Sequence, residues 1–142
     1  KKNSKKTRNI YKQNIKKKKN MRIDMKARTK KFTIDCSNLC SKLPHSREFN
    51  AYVNQLIRSS SSVGANYRAS QRAKSTADFI NKLKIVEEEA DESNFFLEII
   101  LEINKNQELQ SEIETLLKEG NEILAIIVAS IKTSRNNQNS KK

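Results

Sequence analysis

Two cysteines, a single histidine and a series of carboxylates are the residues of this chain whose types could do chemistry. Cys36 and Cys40 stand four apart, on one face of a helix. A zinc finger would need a second ligand pair at its own spacing, and none follows. Along a helix the two Cα atoms lie ~6 Å apart, within disulfide reach, but helical Cβ vectors run parallel and disfavour a bridge. The pair reads as reduced, half-buried small hydrophobes, which fits a cytoplasmic compartment. His45, next to Pro44, reads as a turn residue. Glu87, Glu88, Glu89, Asp91, Glu92, Glu98 and Glu102 suggest a carboxylate-bridged metal cluster, but that site takes Glu-x-x-His from two helices, and one histidine cannot supply it. They read as a solvated acidic face, salt-bridged to the preceding helix. No nucleophile stands beside a base. The expectation is a protein with no catalytic residue, metal or cofactor.

The stronger chemical signal is localised positive charge, the kind that meets phosphate. The formal charge is +13. Residues 1–31 hold fifteen Lys or Arg against Asp24, net +14, and residues 32–142 hold fourteen basic and fifteen acidic side chains, net −1. The run Lys16, Lys17, Lys18 and Lys19 could neutralise phosphates without reading sequence. A second set, Arg58, Arg68, Arg72, Lys74, Lys82 and Lys84, faces Asp78 alone between residues 58 and 84, net +5. Residues 87–122 carry twelve acids against Lys105 and Lys118, net −10. Salt bridging to that acidic stretch or to another subunit is the competing use of the second set. With no Trp and few aromatics, base stacking gives little basis for sequence specificity.

The elements that must position these side chains are helices. Gly64, Gly120 and Pro44 are the whole stock of glycine and proline, too little punctuation for a sheet with many turns. Residues 1–20 show no apolar period and are expected to be a basic, disordered extension. The chain opens on Lys, and a start at Met21 would remove ten basic residues and leave net +3. Met25, Thr29, Phe32, Cys36, Leu39 and Leu43 alternate steps of four and three, predicting one helix face up to the break at Pro44. Ser46 is the expected N-cap of a second helix over residues 47–72, with Leu56, Ser60, Val63 and Tyr67 facing inward. Its centre, Ser59 to Ala65, is rich in small residues at a cost in helix propensity, which close packing of a neighbouring helix, an oligomer contact or a ligand approaching the backbone would offset. Ser75 with Asp78 three residues on resembles a capping box, opening a third helix with Phe79, Leu83, Val86, Ala90, Ser93, Leu97 and Ile100 inside. A fourth runs over residues 107–134 with Leu109, Ile113, Leu116, Gly120, Ile123, Ile127 and Ser130 inside, and residues 135–142 are expected to fray as a polar tail. Short connections make the neighbours antiparallel, so residues 21–134 are expected to form an all-α, up-and-down four-helix bundle. The longest apolar run, Ile123 to Ala129, is too short to span a bilayer, and no secretory leader is evident.

The stretch from Gln55 through Ser70, QLIRSSSSVGANYRAS, followed by Ser75, Phe79, Lys82, Ile85 and Glu89 to Ser93, resembles the bacterial 23S rRNA-intervening-sequence family. The likeness covers roughly residues 27–134, and Phe96 stands where it would lead one to expect tryptophan. It implies a four-helix bundle encoded in ribosomal RNA genes or elsewhere in bacterial genomes. A related branch, the accessory variability determinant of diversity-generating retroelements, implies a cyclic homo-oligomer, a pentamer, that binds nucleic acid and a reverse transcriptase. Together these lead to an expected cytoplasmic RNA- or DNA-binding module whose contacts are Arg58, Arg68, Arg72, Lys74 and Lys16 to Lys19. The alternative is a structural or adaptor oligomer docking a protein on its acidic face.

Overall fold

A computed structural model describes residues 2–140, with side-chain surroundings for residues 3–17 and 24–140. The described residues are all-helical and contain no strand: α1 (Lys2–Cys40), α2 (Arg47–Ser70), α3 (Thr76–Ile103) and α4 (Gln107–Ser140). Each helix packs on two others, α1 on α2 and α4, and α3 on α2 and α4. Cross-helix contacts give the directions. Thr33 of α1 donates to the carbonyl of Ser60, whereas Gly64, one turn later in α2, lies over Thr29, one turn earlier in α1. Arg28 meets Glu119 and Glu122 of α4, and Lys42 meets Glu112. Tyr52 stacks near Phe96 while Ser59 bonds Ser93. In all three pairs one helix rises as the other falls.

The four-three repeat forms the core. Met25, Thr29, Phe32, Cys36, Leu39 and Leu43 are buried, as are Leu56, Val63, Leu83, Val86, Leu97, Ile100, Ile113, Ile123 and Ile127. Small shifts of face occur at helix ends: Ile80 is buried where Phe79 was expected to lead, and Ile131 where Ser130 was. The caps fall where the sequence predicts. Phe49 N–H donates to the Ser46 hydroxyl at 3.2 Å and Asp78 N–H to that of Ser75 at 3.1 Å. The return bond of the box reaches one residue further back, Lys74 N–H donating to Asp78 Oδ2 at 3.0 Å. The small-residue centre of α2 is used within the chain: a Cβ on Gly64 would stand 3.0 Å from Thr33 Oγ1, and Ser93 Oγ donates to Ser59 Oγ at 2.9 Å.

Two expectations are corrected. Residues 2–20 are not a disordered extension but the first half of α1, and α4 continues through 135–140 instead of fraying after residue 134. Both segments lack glycine and proline and adjoin a packed helix. Extending a formed helix avoids the nucleation cost that makes short isolated helices marginal, and lysine is a good helix former.

Candidate nucleic-acid interface

The antiparallel order brings the first half of α1, the last turn of α2, the start of α3 and the last turns of α4 to one end of the molecule. There Ser70, Gln71, Lys74 and Thr76 line a cleft of about 560 Å³ together with Ser134, Asn137 and Gln138 of α4. Lys74 is exposed, and Arg68, Arg72, Lys132 and Arg135, each within two residues of a lining position, are exposed as well. None of these five forms an ion pair with another described residue. The acids on these segments are Asp24 and Asp78. Asp78 is engaged: Lys82 Nζ lies 2.6 Å from its carboxylate, and that bond, with the one from Lys74 N–H, holds its pKa below the usual carboxylate value. The far end is the opposite, with exposed Glu98, Glu102, Glu108 and Glu114 on α3 and α4.

Of the residues expected to contact phosphate, Arg68, Arg72 and Lys74 are therefore gathered, and Lys16 and Lys17 are exposed on the arm of α1 that leaves this end. The side chains of Lys18 and Lys19 lie outside the described residues. Arg58 is not part of the cluster. It sits in the middle of α2, its guanidinium 3.3 Å from Glu89 and 2.5 Å from Glu92 of α3, and these contacts raise its pKa. Lys132 and Arg135 escaped the sequence reading because they fall at the edge of α4 and in the supposed tail. Their signal was two cations in a stretch without acid or helix breaker after residue 122.

Away from this end the polar chemistry is structural. Arg28 Nε donates to Glu119 Oε1 at 2.7 Å and clamps α1 to α4. Cys36 and Cys40 are free and buried, and burial pushes both thiols up, Cys40 to about 11. Asn94 is 3% exposed; its Nδ2 donates to Asn121 Oδ1 at 3.3 Å and its own Oδ1 has no partner. A Cβ on Gly120 would stand 2.0 Å from that oxygen, so glycine makes the room for this amide. Among the described residues no three His, Cys, Asp or Glu side chains converge on a metal position, and no helix is long and apolar enough to cross a membrane.

Fold and site together define an all-helical protein with one cationic end. The family model of the 23S rRNA-intervening sequence protein matches residues 19–129, and the chain belongs to that family. Among solved structures it is similar to a Bacteroides thetaiotaomicron protein of unknown function from the S23 ribosomal protein family. The two are 30% identical with a TM-score of 0.70, over 78% of this chain and 97% of the other. No curated protein matches the chain.

Proposed function

We propose that this protein is a non-enzymatic, cytoplasmic nucleic-acid-binding module: an up-and-down four-helix bundle that grips phosphate backbone with its cationic end. The observation that carries this is that Arg68, Arg72, Lys74, Lys132 and Arg135, all exposed and each at or within two residues of a position lining one cleft, have no ion-pair partner among the described residues. Cations left unpaired at close quarters repel one another and are offset when phosphates replace a counterion atmosphere. The family's description, which refers to an intervening sequence of 23S rRNA, is in keeping with such a ligand. The bundle is further proposed to act as a cyclic homo-oligomer. Phe95, 55% exposed and edge-on to Phe96, which in turn lies against Tyr52, leaves an aromatic group open to solvent where α2 meets α3.

Filter binding tests the assignment. The triple substitution Arg72→Ala, Lys74→Ala and Arg135→Ala is expected to weaken binding at least tenfold at about 50 mM salt. Arg58→Ala, which removes a residue already paired to Glu89 and Glu92, should leave affinity within about twofold. Equal losses from the two, or no binding by the unaltered chain, would contradict it.

A further inference from the structure

The arm of α1 is not uniformly basic once it is a helix. Successive residues turn by roughly 100°, which places Asn3, Ser4, Thr7, Ile10, Tyr11, Asn14 and Ile15 on one face. Lys6 and Lys17 border that face on one side and Arg8 and Lys12 on the other, with Lys5 and Lys16 on the back. Every described side chain from residue 3 to 17 is exposed, Ile10 and Ile15 at 51% and Tyr11 at 68%, so none of the described residues covers the uncharged face. The arm also precedes the residues that the family model matches, 19–129.

We propose that this arm lies in the major groove of B-form duplex DNA, its uncharged face on the base edges and its two cationic borders on the phosphates of the flanking strands. The assignment rests on the nucleic-acid binding proposed above and goes beyond backbone contact. Three observations favour this occupant. The B-form major groove is wide enough for an α-helix, whereas that of A-form RNA is deep and narrow. Residues 3–17 extend ~22 Å, the length of about six base pairs at ~3.4 Å each. The face has the chemistry of groove readers. Asn3 and Asn14 carry amides that can pair with adenine, and the aliphatic groups of Ile10, Ile15 and Thr7 suit thymine methyls. The Thr7 hydroxyl is already turned back, donating to the Asn3 carbonyl at 2.9 Å, which leaves its methyl outward. Four polar residues interleaved with three apolar ones make the face too wet to bury in a lipid surface or a helical seam.

The test is fluorescence anisotropy of the full chain with a DNA duplex, the RNA duplex of the same sequence and the single strands, at one salt concentration. The DNA duplex is expected to bind at least about tenfold tighter than the RNA duplex. A major-groove ligand such as methyl green should displace the protein and a minor-groove ligand such as netropsin should not. Asn14→Ala with Tyr11→Ala should lower DNA affinity about tenfold and leave single-strand affinity unchanged, and the unaltered circular dichroism melt should show the body intact. Equal binding to DNA and RNA duplexes, displacement by netropsin alone, or indifference to the paired substitution would overturn the groove assignment and leave the cationic end in place. Absence of binding to every nucleic acid would overturn both. Capture by anionic phospholipid vesicles with no preference for duplex would also count against the arm's assignment.

Discussion

The two halves of α1 are one continuous helix held by different physics. From Met25 to Cys40 every buried residue but Cys40 belongs to the four-three repeat, and Phe32, Cys36 and Leu39 are almost wholly enclosed by the other helices. From residue 3 to 17 nothing is enclosed, and the helix persists on propensity and on its attachment to the packed half. The contrast separates the part of the chain that stabilises the fold from the part free to meet a ligand. Burial fixes position, and unburied charge is available for recognition.

The largest expected effect breaks the comparison at its packed half. Phe32→Ala, which empties the space beside Gly120, should lower unfolding free energy by about 3–5 kcal/mol in a denaturant titration. Ile15→Ala in the arm should change it by less than about 0.5 kcal/mol. Similar costs at the two sites would mean that the arm packs after all.

The cysteines sharpen the same contrast through pH. Cys40 has its thiol raised from an ordinary 9.0 to about 11 by burial, and Cys36 is shifted in the same direction. A thiol whose folded pKa is raised contributes stability fully present below pH ~9 and lost as pH climbs through the folded value, because the unfolded chain releases its proton first. Stability should therefore fall by about 1–3 kcal/mol between pH ~9 and ~11, and Cys40→Ala should flatten that slope. An identical alkaline slope in a variant with both Cys36 and Cys40 changed to Ala would show that lysines and tyrosines account for it instead.

A smaller effect is expected where α1 and α2 touch. Gly64→Ala gains about 1 kcal/mol of helix propensity but brings a methyl to 3.0 Å from Thr33 Oγ1. That hydroxyl is tied to the Ser60 carbonyl at 2.6 Å and cannot swing away without losing the bond. The net is a destabilisation of about 1 kcal/mol, readable in a thermal melt; stabilisation would mean that the helices move apart freely.

What was legible in the sequence follows the same division. Met25 through Leu43, and the inward residues of α3, were readable because burial imposes a period, and Ser46 and Ser75 because caps are local chemistry. The arm of α1 was not, since its apolar residues are too few to declare a period, although its cations do segregate once the backbone is helical. Arg58 was misplaced for another reason. Its partners Glu89 and Glu92 lie 31 and 34 residues onward, and only the register of α2 on α3 brings them together. The same holds for Asn94, whose buried amide depends on the absent side chain of Gly120 across the seam. The cationic end was half visible, in Arg68, Arg72 and Lys74, and its other half needed α4 to reach past residue 134.

The most direct test of the cationic end is the dependence of nucleic-acid affinity on salt, measured for the full chain and for a variant with Arg68, Arg72, Lys74, Lys132 and Arg135 all changed to Gln. Each phosphate contact contributes about 0.7–0.9 to the slope of log affinity against log salt, so the loss of five contacts should make the variant's slope shallower by roughly 3.5–4.5. A slope the same in both proteins, or flat in the unaltered chain, would contradict the account.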